Sequence, residues 1–170
     1  LRLWAAEPQK GGAAGFAALP AVRQVAVLYA AALACVKLRD FDRAKVYVNR
    51  LKTLVTLDLY ASRVTKLIAS ELAFTTGDAL PALQLDTSAT GSGRLQRPEL
   101  FVASTAQIAN ANNAKADRKL ADTAAQNLRT WVAANPLDAP AWQLLASAYV
   151  AQGQALRATR AEAEAQVALL

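Results

Sequence analysis

The stretch that decides the fold runs from Trp131 to Ala165 and reads WVAANPLDAPAWQLLASAYVAQGQALRATRAEAEA. Trp142, Leu145 and Tyr149 follow one another at i, i+3 and i+7. On a helix this spacing places all three side chains on one face, where they form a single apolar stripe. The spacing therefore predicts a helix that buries this stripe against a neighbouring element.

The same stretch contains the features that complete a helical hairpin. Ala146 and Ala158 are small, as residues must be where two helices approach closely. Gly153 lies where a residue in the left-handed conformation can end the first helix. Asp138 precedes that helix and can cap its amino terminus. We therefore predict one helical hairpin over residues 137–170.

The order Trp142-x2-Leu145-Ala146-x2-Tyr149, followed by Ala158, resembles the tetratricopeptide repeat, whose hairpins stack on copies of themselves into an α-solenoid. The preceding segment agrees with this resemblance at four positions, and the step from its Ala124 to Ala158 of the last hairpin is 34 residues; the four positions are Ala124, Leu128, Trp131 and Pro136. Two residues depart from the repeat pattern, because Ala146 replaces the usual glycine and Glu162 the usual aromatic residue. The repeat register assigns Trp131 and Trp142 to the core.

The rest of the chain also favours helices, because alanine is frequent and glycine and proline are sparse. We predict an irregular lead-in over residues 1–20, a polar loop over 86–97, and a repeat domain over 21–170 whose clearest units are 98–136 and 137–170. The fold class is all-α, a tetratricopeptide-like array of about four hairpins. The predicted helices before the last hairpin span 21–37, 41–56 (opened by Asp40 or Asp42), 59–74, 79–85, 98–110 and 116–134. The spacing is irregular, because the small residues taken as equivalent are 38, 42 and 34 residues apart: Ala44, Ala82, Ala124 and Ala158.

The sequence lacks the residues that several kinds of catalysis and metal binding require. The sequence has no histidine and one cysteine, which removes histidine-based catalysis and the common structural zinc sites. No phosphate-binding glycine motif occurs, and Glu162 and Glu164 are two residues apart, so they diverge on a helix. We therefore predict no catalytic residue, no metal ligand and no cofactor in this chain.

The net charge of +6 is concentrated in the amino-terminal third. A basic helix there carries five cations within fourteen residues: Arg39, Arg43, Lys45, Arg50 and Lys52. One interpretation is an anionic partner such as nucleic acid. The alternative is an ordinary solvated helix face, which we favour because Asp40 and Asp42 interleave and because Arg43, Lys45 and Arg50 point in different directions. Nucleic acid is therefore not the expected partner.

Three further features bound the class of protein. Cys35 stands alone in the longest run that is both uncharged and apolar, residues 25–36, and is interpreted as a small buried hydrophobic residue. That run is too short to span a bilayer, so we expect no transmembrane segment. The chain contains no methionine, and we expect it to be part of a longer protein.

A repeat array binds partners on the concave face lined by the first helix of each hairpin. The register predicts a partner-binding face of small and polar side chains, suited to an extended peptide or a neighbouring domain: Ala109, Asn113, Gln143, Ser147, Val150 and Gln154.

Beyond the general repeat pattern, three segments resemble the carboxyl-terminal repeat domain of bacterial periplasmic zinc metalloproteases related to outer-membrane assembly proteases. They are Arg129 to Val132, Asn135 to Ala146, and Gly153 to Ala165 with its ending Arg160-Ala161-Glu162-Ala163-Glu164. The resemblance is close over residues 120–170 and loose over 20–85, and it accounts for Glu162.

This resemblance implies a separate H-E-x-x-H peptidase domain that holds zinc, a secretory signal and a periplasmic location. The expected partners are that peptidase domain, outer-membrane assembly components or unfolded substrates, and the parent protein would be a hydrolase. No zinc ligand or catalytic glutamate of that family maps onto this chain. Two alternatives stay open, a free-standing repeat scaffold or adaptor and the sensing domain of a regulator.

Overall fold

Helices are the only regular secondary structure in the part of the chain that the computed structural model describes, residues 12–55, 58–83, 85, 96–112 and 118–170. The all-α prediction is confirmed for these residues. Two compact units divide the chain, Leu1–Gly77 and Asp78–Leu170.

The first unit is built from four described helices. They are α1 (Gly12–Ala17), α2 (Ala21–Lys37), α3 (Phe41–Leu54) and α4 (Leu59–Thr75). Helix α2 has the predicted bounds, and α1 lies inside the predicted lead-in. Helix α3 ends two residues before the predicted Thr56, which lies outside the described residues.

Carboxylates begin two of these helices, and an apolar cluster joins them. Asp40 caps α3 by accepting a hydrogen bond from the backbone N–H of Arg43 at 3.3 Å, so Asp40 and not Asp42 is the cap. Asp58 caps α4 in the same way. Helices α2 and α3 pack together, and α4 packs against both. Their buried core includes Leu28, Ala32, Cys35, Ala44, Tyr47, Val48, Leu51, Ile68 and Leu72.

The second unit contains α5 (Leu80–Leu83), α6 (Arg97–Ala111), α7 (Arg118–Ala134), α8 (Ala139–Ala151) and α9 (Ala155–Val167). Helix α5 is shorter than predicted. The prediction that Arg97 ends a loop is wrong, because Arg97 is the first residue of α6. Pro98 follows it, and the fixed backbone angle of proline suits the first turn of a helix. Residues 86–95 of the predicted loop lie outside the described residues.

The helices of the second unit pack in succession. Helix α7 contacts α6 and α8, α8 contacts α9, and α6 also contacts α8. Their core includes Leu100, Ile108, Ala124, Leu128, Val132, Leu145, Ala146, Tyr149, Ala158 and Ala161. Three of the four small residues singled out in the sequence lie in this unit, Ala82, Ala124 and Ala158, and all three are buried, as is Ala44 in the first unit.

Two kinds of feature are not found among the described residues. None of their helices is long and apolar enough to cross a membrane. Among the same residues, no group of three or more acidic or cysteine side chains is placed to hold a metal ion.

Candidate functional site

Asp138 joins the ends of three helices in the second unit. Its Oδ2 accepts hydrogen bonds from Nε of Arg97 at 2.7 Å and from the indole N–H of Trp131 at 2.9 Å. Its Oδ1 accepts from Nη2 of Arg97 at 2.9 Å and from the backbone N–H of Ala141 at 3.3 Å. This cluster, the Asp138 junction, ties the start of α6, the end of α7 and the start of α8.

The charges of the junction stabilise each other. The hydrogen bond from Arg97 is the main reason that the pKa of Asp138 lies below its ordinary value of 3.8; burial opposes this shift, and the indole of Trp131 reinforces it. The same hydrogen bond raises the pKa of Arg97. The Arg97 guanidinium also lies 4.3 Å from the ring centroid of Phe101. Because Arg97 forms a bidentate pair with the carboxylate of Asp138, the junction fixes the relative orientation of the two side chains as well as their contact.

A second polar contact joins the opposite ends of α7 and α8. Gln152, just after α8, donates from Nε2 to Oδ1 of Asp122 at 2.7 Å and to the carbonyl of Ala121 at 3.3 Å. Both acceptors lie in the first turns of α7. The end of α8 therefore lies beside the start of α7, and the two helices are antiparallel.

An open groove of about 1090 Å³ lies between α7 and α9, with α8 as its floor. We call it the α7–α9 groove. The two polar contacts above hold its floor against its α7 wall at both ends. Its lining residues are Asp122, Ala125, Gln126, Arg129, Thr130, Val132 and Ala133 from α7, Trp142, Leu145 and Tyr149 from α8, Gln152 and Gln154 from the turn, and Arg157, Arg160 and Ala161 from α9.

Three arginines give the groove its charge. Arg157 lies 5.9 Å from the ring centroid of Tyr149 and donates from Nη1 to the side-chain carbonyl of Gln154 at 3.0 Å. Arg160 forms a long, exposed ion pair with Glu164, 3.9 Å between Nε and Oε1. Arg129 is exposed and makes no ion pair within the described residues. The guanidinium groups therefore keep most of their donors for a ligand.

Aromatic side chains form part of the floor. The indole N–H of Trp142 donates to the carbonyl of Pro136 at 2.8 Å, which fixes the ring near the start of α8. Trp131 and Trp142 are half-buried and pack against the core, as expected of rings with one polar atom to satisfy. The prediction that both tryptophans belong to the core holds in this partial sense.

The structure separates the predicted partner-binding residues. Gln143, Ser147 and Val150 are exposed on one side of α8, and we call them the α8 outer face. The groove-lining residues of α8 lie on other sides of the helix, because Trp142 and Tyr149 are offset by about 100° from the outer face. The remaining three residues differ from one another: Ala109 is exposed on α6, Gln154 lines the α7–α9 groove, and Asn113 lies outside the described residues.

The sequence reasoning missed the arginines of the groove. Arg129 and Arg157 are 28 residues apart, and no local spacing relates them. Their signal was available in another form, because Arg157 and Arg160 are at i, i+3 and must share a face of α9.

The basic helix of the first unit has two charged sides. Arg43 and Arg50 are seven residues apart and share one side of α3, whereas Lys45 and Lys52 share another. The buried residues of α3 lie between these two sides. The expectation that Arg43 and Arg50 point in different directions is wrong, but the cations of α3 are divided between two sides. Arg43 also pairs with Asp40 at 3.5 Å, and Arg39 has a positive φ of 60°.

Cys35 is buried in the core of the first unit and is free, as predicted. Burial raises the pKa of its thiol, Asp40 adds to the increase, and Arg43 opposes it. A thiol with a raised pKa is mostly protonated at neutral pH and is a weak nucleophile.

Comparison with known proteins adds no relative. No family model matches the chain, and neither a curated protein nor a solved structure matches it.

Proposed function

We propose that this chain is a non-catalytic, protein-binding domain built from helical hairpins of the tetratricopeptide type. The observation that carries the proposal is the α7–α9 groove, an open cleft whose floor and α7 wall are tied together at both ends. A cleft of this kind can bind a peptide without losing much conformational entropy of its own.

The burial pattern of the last hairpin supports the repeat assignment. Leu145, Ala146, Tyr149 and Ala158 are 1%, 3%, 8% and 4% exposed, respectively. These are the positions at which the repeat pattern demands apolar or small residues, and α8 and α9 pack together over them. Helix α6 supports a stacked arrangement, since its first residue meets the cap of α8 at the Asp138 junction.

We propose as the parent protein a periplasmic zinc metalloprotease concerned with outer-membrane protein quality control. The support is the sequence resemblance over residues 120–170. This chain would then be the recognition and regulatory part, and zinc would be held by a separate peptidase domain. The parent gene upstream of Leu1 tests this assignment. An H-E-x-x-H helix behind a secretory signal is the expected result, and a parent that encodes only repeats would leave a scaffold or adaptor instead.

The protein-binding function is tested with the purified chain and displayed random peptides of about 12 residues, long enough to cross the domain when extended. We expect enriched peptides that bind one to one and saturably. Failure to enrich any peptide that binds the folded chain would contradict the proposal.

Two variants test whether the α8 outer face contributes to peptide binding. Gln143→Arg places a long charged side chain on that face, and Gln166→Arg makes the same change on an exposed part of α9. If the outer face is the binding surface, Gln143→Arg weakens the selected peptides at least tenfold and Gln166→Arg does not. Equal affinities for the two variants would remove the outer face from the site.

A further inference from the structure

We propose that the α7–α9 groove binds an acidic, extended peptide segment whose carboxylates pair with Arg129, Arg157 and Arg160. This inference rests on the proposed protein-binding function and names the class of partner. It also places binding on a surface other than the α8 outer face to which the repeat resemblance points.

The distribution of charge is the first argument. Residues 121–170 contain three basic side chains and four acidic ones, so this segment as a whole is slightly acidic. All three basic side chains nevertheless line the groove, whereas Asp122 is the one acidic side chain among the described residues that does. Asp122 is engaged by the hydrogen bond from Gln152. The groove is therefore a local positive site on a segment of the opposite net charge, which favours an anionic partner.

The position of the three arginines, and the donors they keep free, also favour an acidic peptide. The three guanidinium groups come from both walls, with Arg129 on α7 and Arg157 and Arg160 on α9. Tyr149 and Gln154 hold the Arg157 side chain in place while using few of its donors. A planar guanidinium forms paired hydrogen bonds with a carboxylate. Arginines on two walls suit a chain with several carboxylates better than a single small anion.

The dimensions of the groove are the third argument. Its α7 wall extends from Asp122 to Ala133, which is about 16 Å at the helical rise of 1.5 Å per residue. About five residues of extended peptide cover this length. The volume of about 1090 Å³ lies at or above the upper limit of small-molecule pockets, roughly 1,000 Å³. The groove therefore fits a peptide segment better than a metabolite.

The two ends of the groove differ, which gives the segment a direction. Because α8 is antiparallel to α7, Trp142 lies near Val132 and Ala133, and this end is apolar. The other end presents Asp122, Gln152 and Gln154 and is polar. We therefore expect an apolar residue of the partner at the Trp142 end and its carboxylates along the arginines.

Fluorescence anisotropy with two labelled peptides tests the proposal. The first contains Glu-Asp-Glu-Leu-Phe, and the second has the amides Gln-Asn-Gln-Leu-Phe in its place. We expect the acidic peptide to bind the full chain at least tenfold more tightly than the amide peptide. We also expect its binding to weaken as salt rises from about 0.05 M to about 0.5 M, as exposed ion pairs are screened.

A matched pair of charge reversals locates the site. Arg129→Glu with Arg160→Glu changes both walls of the groove, and Arg23→Glu with Arg50→Glu makes the same change in net charge at exposed positions of the first unit. The groove variant should lose at least tenfold in affinity for the acidic peptide, while the control variant loses less than threefold. Circular dichroism checks that both variants stay helical.

The outcomes of these experiments distinguish a failure of the acidic-peptide proposal from a failure of protein binding itself. Equal losses in the two double variants, or equal binding of the acidic and amide peptides, would overturn it. If peptides selected from the random display bind but ignore the groove variant, protein binding stands and the acidic groove fails. If no peptide of any kind binds, the protein-binding function itself fails.

Discussion

Asp138 ties three helices of the second unit together, because its one carboxylate receives donors from α6, α7 and α8. Its side chain is 11% exposed and that of Arg97 is 49% exposed. A carboxylate so enclosed is costly to replace, because its donors lose a charged acceptor and two of them are partly buried.

Asp138→Asn therefore tests the junction at nearly constant shape. The amide cannot accept from Arg97, Trp131 and the backbone of Ala141 together, so we expect the free energy of unfolding to fall by about 1–3 kcal/mol. Asp42→Asn is the control, because Asp42 is exposed in the first turn of α3. Urea unfolding measures both variants, and a loss at Asp138 no larger than that at Asp42 would contradict the importance of the junction.

The same carboxylate predicts a dependence of stability on pH. The pKa of Asp138 in the folded chain lies below its ordinary value of 3.8, so between the two values the unfolded chain binds more protons. The contribution of Asp138 to stability is then fully present above about pH 5 and is lost as the pH falls through the folded-state pKa. We expect the stability difference between the native chain and Asp138→Asn to shrink from about pH 6 to about pH 3. A difference that stays constant, measured by urea unfolding at both pH values, would show that Asp138 is not charge-paired.

At the scale of the helices, Gly153 ends α8 and lets the chain reverse into α9. Its φ is +74°, and a Cβ added to it would contact nothing within 4 Å. The cost of a side chain there is therefore a backbone cost alone. Gly153→Ala should lower the free energy of unfolding by about 1 kcal/mol, because L residues disfavour this conformation.

Gly15→Ala is the matched control for that change. Gly15 lies within helix α1, its added Cβ would also contact nothing within 4 Å, and its φ is not positive. Alanine favours a helix over glycine, so this variant should leave stability unchanged or raise it by up to about 1 kcal/mol. Thermal or urea unfolding compares the two variants, and effects of the same sign would contradict the assignment of Gly153 as a helix terminator.

The helices show how far sequence reasoning extends. Local signals were enough for α2, whose bounds match, and for the cap at Asp138 and the terminator at Gly153. They failed at Arg97, whose partner Asp138 is 41 residues away. They nevertheless predicted α6 to within one residue at each end, although this helix buries the polar side chains of Ser104 and Gln107 beside its apolar ones.

The dependence on contacts between distant residues also explains why the sequence predicted only part of the candidate site. The α8 outer face follows from helical spacing alone, and the sequence grouped Gln143, Ser147 and Val150 correctly on one side. The α7–α9 groove depends on which helices pack together, and this depends on alanine contacts such as Ala158 that look alike at many positions of the sequence. Arg129 and Arg157 therefore come together only in the folded chain.

At the scale of the whole molecule, the net charge of +6 raises nucleic acid as a rival to an acidic peptide. The cations of α3 argue against the rival, because Arg43 and Arg50 lie on one side of the helix and Lys45 and Lys52 on another. A duplex that contacts one side meets about two of these charges. The slope of log affinity against log salt is roughly −0.9 for each phosphate contact, so we expect a slope of about −2 for duplex DNA.

The measurement is fluorescence anisotropy of a labelled duplex over a range of salt, with Arg43→Glu and Arg50→Glu as the test variant and Arg129→Glu and Arg160→Glu as the comparison. A shallow slope that both variants alter equally indicates a diffuse, non-specific attraction, which is the expected result. A slope of about −5 or steeper, abolished by the α3 variant alone, would favour the regulator alternative. In that case the cations of the first unit, and not the arginines of the α7–α9 groove, would define the main partner of this chain.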